Sequence, residues 1–260
     1  MKSKRQLVVL GAGYAGMTAA AHLNNKLSKK DFQVVLVNVN AYHELIQEAH
    51  LMAGGFRRLE EVRIPISDLV KDTDIQFIES CVKKIKSAEN RVILGNLNDL
   101  AYDFLVVALG SSTKSFGIKG ALEYGLTIQS IDEALAIHSK VLSLVSNNKD
   151  KNNNKKTNNI VIVGGGPTGV GVAGALADLV DHHSQERAAA NKAELIIVTA
   201  SSTVLPGFDK RIIDKVTKIL HRKGVRIITD GTVSYNSKRR RRYRESCSFF
   251  PYDMDAWCAC

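Results

Sequence analysis

No run of 18 or more apolar residues occurs in this 260-residue chain, so no transmembrane helix is expected. Cysteine is scarce and poorly spaced for redox work. Cys81, Cys247, Cys258 and Cys260 form neither a CxxC nor a CxxxxC pair, which argues against a close-spaced redox disulfide and suits a reducing cytoplasm. Cys258 and Cys260 have no histidine nearby, so no metal site is expected. The start, MKSKRQ before an apolar run, imitates a secretory leader. That run breaks early at glycines, which a buried strand explains better.

What is present is ordinary for a globular protein: 45% hydrophobic and 24% charged residues, enough for one large domain or two modest ones. The net charge of +10 is unevenly spread. Residues 147–159 carry four lysines against Asp150, and the tail from Lys238 carries six basic residues against Glu245, Asp253 and Asp255. Solvated charge explains both stretches, and attraction to an anionic surface is the alternative.

The informative stretch is Leu7 to Gly16, LVVLGAGYAG, an apolar run closing on GxGxxG. A strand that is apolar throughout suits a parallel sheet covered on both faces. Gly11 then permits the tight turn, Gly13 lets the backbone approach a pyrophosphate, and Gly16 lets the next helix pack close. Ala12, Tyr14 and Ala15 complete this loop. A second strand, Gln33 to Val37, completes a βαβ unit, and Asn38 stands 22 residues past the third glycine, where a ribose-binding side chain belongs. Asn40 is the second candidate. The pattern recurs at Ile160 to Gly169, IVIVGGGPTG, which predicts two nucleotides.

Between the motifs, helical spacing runs through Leu45, Ala49 and Met52 and ends at Gly54 and Gly55. His43 and His50 read as packed or surface histidines without a catalytic role. VRIPISDLV reads as an extended piece and a short helix, IQFIESCVKKIK and RVILGN as a small antiparallel sheet, and Tyr102 to Gly110 as another buried strand. SIDEALAIHSKVLSLV reads as a helix, and the Asn- and Lys-rich run after it as a mobile loop.

The segments GAGYAG, NAYHELIQEAHLMAGG, VRIPISDLV, YDFLVVALGSSTKSFGIKG, GGGPTGVGVAGALADL and LPGFD, in this order, resemble the two-dinucleotide-binding-domain flavoproteins, and most of all type II NADH dehydrogenases. The resemblance covers residues 6 to about 233. It implies an α/β fold of two Rossmann-like, three-layer units with parallel sheets and a small antiparallel β insertion, C-terminally truncated. The implied domains are an incomplete FAD domain over 1–128, a helix and mobile loop over 129–159, an incomplete NAD(P) domain over 160–233 and a non-homologous, disordered tail over 234–260.

On this resemblance FAD is held by Gly11 to Gly16, with Asn38 or Asn40 at the ribose, Val82 near the adenine, and Ala108, Leu109 and Gly110 near the pyrophosphate. NAD(P)H is held by Gly164, Gly166, Pro167, Thr168 and Gly169, with Thr199 at its ribose. The implied reaction passes electrons from NAD(P)H through flavin to a quinone-type acceptor, at the cytoplasmic face of a membrane, with no residue singled out as catalytic. Two departures stand out. Gly171 replaces an acid usual after GPTGV, and Thr199 replaces the ribose carboxylate, so NADH and NADPH are not distinguished.

From about Ser234 the resemblance stops, as a frameshifted or prematurely ended reading frame would make it. Four readings compete with the quinone reductase. A sulfide:quinone oxidoreductase needs cysteines that are absent between Cys81 and Cys247, whereas a soluble reductase of a protein acceptor remains open. A nucleotide-binding remnant without turnover is a third. A nucleic-acid grip by RRRRYR lacks an accompanying recognition fold, so no specific nucleic acid is expected. The oligomeric state is left open.

Overall fold

The first strand, β1 (Arg5–Leu10), is apolar over its last four residues because it lies inside a sheet covered on both sides. The computed structural model describes residues 3–95, 99–114, 118, 120–146, 159–187, 193–234, 242–244 and 256–259. The predicted mobile loop lies outside these residues except for Asn159, and so does most of the tail. The chain forms two compact units, residues 1–45 with 63–112 and residues 46–62 with 113–260.

In the first unit, β1 is followed by α1 (Tyr14–Lys26), β2 (Phe32–Asn38) and β3 (Tyr42–Glu44). The chain leaves through α2 (Ala49–Ala53) and α3 (Leu59–Val62), which belong to the second unit. It returns as β4 (Arg63–Pro65), α4 (Ile66–Val70), β5 (Gln76–Glu79), β6 (Val82–Lys86), β7 (Arg91–Leu94), β8 (Asp99–Ala101) and β9 (Phe104–Val107). A parallel sheet runs β5-β2-β1-β9, while β6, β7 and β8 make an antiparallel one.

Alternate residues of β1 and β2 serve opposite faces. Leu7, Val9, Val34 and Leu36 pack with Ala20 and Met17 of the helix side, and Val8, Leu10, Val35 and Val37 pack with Val92, Leu94 and Ile85 of the antiparallel sheet. Helix, parallel sheet and antiparallel sheet make three layers. Each of these Val and Leu side chains contributes roughly 1.5–3 kcal/mol by leaving water.

Two expectations need correction here. IQFIE does not belong to the antiparallel sheet: β5 pairs in parallel with β2, and the chain turns at Ser80 and Cys81, where Ser80 N–H donates to Asn38 O at 2.8 Å. β9 is not buried either. It forms the sheet's edge, with Phe104 49% and Val107 58% exposed, because its outer side pairs with no described strand.

The second unit continues with α5 (Ala121–Tyr124), β10 (Leu126–Thr127), α6 (Ile131–Ser146), β11 (Asn159–Val163), α7 (Pro167–Arg187), β12 (Glu194–Val198), α8 (Lys210–Arg222), β13 (Val225–Ile228), β14 (Thr232–Ser234), β15 (Arg242–Arg244) and β16 (Ala256–Ala259). Its parallel sheet runs β10-β16-β11-β12-β13, and β14 pairs antiparallel with β15. The tail, read as disordered from its lack of periodicity, thus supplies two strands. β16 pairs in parallel with both β10 and β11.

Nor do the units follow the linear boundary expected at 128. Residues 46–62 join the second unit because α2 packs on α6 and α7. Their approach depends on small residues: a Cβ on Gly54 would lie 2.8 Å from Ala175 Cβ and from the Phe56 ring. His138 Nδ1 lies 3.0 Å from Ala53 O and closes the same corner. Just beyond, Glu48 raises the Arg57 pKa through a hydrogen bond and its charge, and the Arg58 N–H, donating at 2.7 Å, holds Glu61 below the usual carboxylate range.

Replacing Gly54 by Ala is expected to destabilise the chain by about 1–3 kcal/mol in urea unfolding. The compensating double variant G54A/A175G should recover part of that loss. Equal losses in single and double variants would show that the Gly54–Ala175 approach does not limit packing.

Candidate functional site

At the end of β1 the chain turns through Gly11, whose φ of +95° few side chains tolerate. Its N–H donates to Val37 O at 2.7 Å. A Cβ on Gly11 would stand 2.3 Å from Ala108 O, and one on Gly16 would stand 1.7 Å from Gly11 O. Packing within the protein therefore demands glycine at both positions. Gly13 differs: its φ is −70°, it is exposed, and a Cβ there would meet nothing within 4 Å. The protein gains no packing from this glycine, but its backbone stays open to an outside group.

Helix α1 begins immediately after. Gly13 offers no side-chain cap and the first turn holds no acid. Since the first intrahelical bond runs from Met17 N–H to Gly13 O, the amides of Tyr14, Ala15 and Gly16 have no helical acceptor. Amides without a helical acceptor at the positive end of a helix form a site for a phosphate-sized anion. Ala108 N–H donates to Leu10 O at 2.8 Å, which brings Ala108, the exposed Leu109 and Gly110 (φ +77°) beside this loop.

Asn38 and Asn40 stand at the end of β2, and Asn38 touches the loop: its Oδ1 accepts from Ala12 N–H at 2.9 Å. Val82 opens β6, where its side chain packs against the cluster of Val8, Leu10 and Val35. One residue passed over in the sequence is His43, 7% exposed, with Nδ1 2.7 Å from Ala12 O and its ring edge-on to Tyr14 at 5.0 Å. Its signal was faint: a histidine between Tyr42 and Glu44, three residues past Asn40.

The second unit repeats the construction. Gly164 (φ +118°) donates its N–H to Val198 O at 2.9 Å, and a Cβ on Gly169 would lie 2.1 Å from Gly164 O. Gly166 again faces open space. Helix α7 starts with Pro167, which has no N–H, so Thr168 and Gly169 supply the amides without a helical acceptor before Val170 N–H reaches Gly166 O.

Thr199 is 6% exposed and lies behind the loop: a Cβ on Gly165 would meet its Cβ at 2.9 Å and its Oγ1 at 3.0 Å. No carboxylate stands at that strand end. Gly165, unnoticed in the sequence, is therefore fixed by packing, and its carbonyl accepts from Leu205 N–H at 2.7 Å.

The two kinds of glycine respond differently to substitution. Gly16→Ala is expected to lower stability by about 3 kcal/mol or more, since the contact is with backbone. Gly13→Ala should stay within about 0.5 kcal/mol of the parent. Similar losses at both positions in chemical denaturation would remove the distinction.

Known proteins share this arrangement. A profile of the pyridine nucleotide-disulphide oxidoreductase family matches residues 5–250, past the point where recognisable motifs end. Type II NADH:quinone oxidoreductases of Staphylococcus haemolyticus and Staphylococcus aureus are each 29% identical to 91% of the chain. The chain spans 60% of the length of either relative. Among solved structures, NDH2 from Plasmodium falciparum in complex with NADH superposes with a TM-score of 0.86 at 22% identity, over 99% of this chain and 55% of that one. The sulfide:quinone oxidoreductase of Aquifex aeolicus gives 0.79 at 20% identity, over 98% and 58%. With its two glycine loops, its paired parallel sheets and a profile match along nearly its whole length, the chain belongs to the pyridine nucleotide-disulphide oxidoreductase family.

Proposed function

We propose that the chain binds FAD on the Gly11–Gly16 loop and NAD(P)H on the Gly164–Gly169 loop, and serves the reaction NAD(P)H + H⁺ + quinone → NAD(P)⁺ + quinol. The observation that carries this reading is the duplication of one cradle. Each loop has two glycines required by packing and a third, Gly13 or Gly166, over which the space is open beside the first-turn amides of a helix. Both cradles fit a pyrophosphate, and the similarity to type II NADH:quinone oxidoreductases supports the assignment of donor and acceptor.

Bound FAD would supply the redox chemistry, taking two electrons from the nicotinamide and passing them on. The residues of the chain bind and orient. Amides of Tyr14, Ala15 and Gly16 would neutralise the FAD pyrophosphate, with the Ala108–Gly110 backbone beside them, and those of Thr168 and Gly169 would receive the nicotinamide dinucleotide. Asn38 or Asn40 would meet the FAD ribose and Val82 the adenine. Thr199 offers a hydroxyl and no charge, so neither 2′-hydroxyl nor 2′-phosphate is strongly favoured.

By this reading the domains follow function, with FAD in the first unit and the nicotinamide in the second. Among the described residues no helix is long and apolar enough to cross a membrane. By the resemblance to type II NADH dehydrogenases, a quinone acceptor would be met by peripheral association, on the cytoplasmic face. Thr199 is also what favours the second reading, a nucleotide-binding protein without turnover, because the strand-end carboxylate is missing.

An anaerobic absorption spectrum of the purified chain, before and after NADH or NADPH, separates these. The expected result is a flavin band near the visible blue that bleaches with either nucleotide, and that Gly13→Ala weakens by lowering FAD affinity at least about tenfold. A colourless protein that stays colourless with added FAD would refute the assignment of the first loop. A flavin band that neither nucleotide bleaches would support the second reading.

A further inference from the structure

Asn38 occupies the strand end where a ribose ligand is expected, yet its side chain is already committed. Oδ1 accepts from Ala12 N–H at 2.9 Å, while Nδ2 donates to Asn40 O and Asn40 Oδ1, both at 3.0 Å, with Tyr42 O at 3.4 Å. The partners dictate the orientation: a main-chain N–H must face the amide oxygen, and three oxygens must face the nitrogen. The same reasoning orients Asn40. Its Oδ1 accepts from Asn38 Nδ2 and from Tyr42 N–H at 3.1 Å, which leaves its Nδ2 as the amide end outside this network.

His43 completes the arrangement. Because Ala12 O can only accept, the Nδ1 that lies 2.7 Å from it must carry a proton. His43 is itself held in register by β4, through the pair His43 with Ile64 and the bond from Ile66 N–H to Ala41 O at 2.9 Å. Both main-chain polar groups of Ala12, a residue 1% exposed, are therefore tied by side chains from outside the loop. Ala12 directly precedes Gly13, the open position.

We propose that Asn38 and His43 are positioning residues that hold the first glycine loop in its binding form before any ligand arrives, and that Asn40 Nδ2, not Asn38, meets the adenosine ribose. A loop ordered in advance loses less entropy on binding. The ribose half of the proposal rests on FAD binding at this loop; the anchoring half concerns the empty chain and does not.

The sharpest substitution is Asn38→Asp. A carboxylate would suit a ribose ligand, but as an anchor it turns an oxygen toward Asn40 O, Asn40 Oδ1 and Tyr42 O. Two quantities are read on the full chain: the FAD dissociation constant from flavin fluorescence, and the thermal midpoint without FAD. N38D and H43L are each expected to weaken FAD binding at least about tenfold, the loss of one hydrogen bond or more, and to lower the midpoint by about 3 °C or more. H43N, whose amide N–H can replace Nδ1–H, should restore affinity to within about threefold of the parent.

The ribose contact is read as a ratio inside each variant, the affinity for FAD over that for FAD built on 2′,3′-dideoxyadenosine. The parent and N38A should keep a ratio of about ten, whereas N40A should bring it near one. FAD binding by N38D as tight as the parent's, with an unchanged midpoint, would overturn the anchoring role. A ratio lost in N38A and kept in N40A would return the ribose to Asn38, and a parent ratio near one would remove it from Asn40. If the parent bound no FAD while N38D and H43L still lowered the midpoint, the FAD assignment and its ribose half would fall and the anchoring half would stand.

Discussion

The structure depends on a contact between two backbones that only a missing side chain allows. At Gly16 the helix rides so close to the turn that a single added carbon would stand 1.7 Å from the carbonyl of Gly11, and at Gly169 the same carbon would stand 2.1 Å from Gly164. That closeness aims the start of each helix across the end of its strand. It also places the first-turn amides of each helix at the turn, with no acidic side chain in either first turn. Chemistry at these loops follows from packing beneath them: the glycines that touch nothing are useful because the glycines that touch everything have set the backbone.

Parts of this were readable in the amino-acid sequence for a physical reason. β1, β2, β11 and β12 are covered on both faces, so their residues are apolar in unbroken runs, and the runs of β1 and β11 end at a glycine pattern with few alternative uses. The helix Ile131–Ser146 announced itself by spacing. Where covering is partial, reading failed. Gln76–Glu79 and Phe104–Val107 look like strands in either case, but which sheet they join, and whether they end at its middle or edge, is decided by distant partners such as β2 and β1.

The glycine loops of the candidate site could be located by spacing. Gly11 and Gly164 answer to a positive φ and Gly16 and Gly169 to a backbone packed against them, whereas Gly13 and Gly166 could be named from the motif spacing alone. Asn38 could be placed but not interpreted: its position suggested a ligand contact, and only its neighbours reveal that both ends of its amide face the protein. His43 carried only a faint signal, since one histidine in a three-residue strand has no periodicity to betray it. The strand Ala256–Ala259 was invisible for a different reason, being joined to its sheet by main-chain pairing with β10 and β11.

The excursion of residues 46–62 bears on how the chain can assemble as it leaves the ribosome. The segment is made between β2 and β5 of the first unit, but the helices it packs on, α6 and α7, lie at 131–146 and 167–187. Vectorial synthesis therefore presents Met52, Ala53 and Val62, all buried in the finished protein, well before their partners exist. β1 must likewise wait until β9 is made, at 104–107, to gain its second neighbour. The first unit thus has all its strands once residue 112 is made, while residues 46–62 wait for α6 and α7 of the second, a long-range order of assembly typical of parallel sheets.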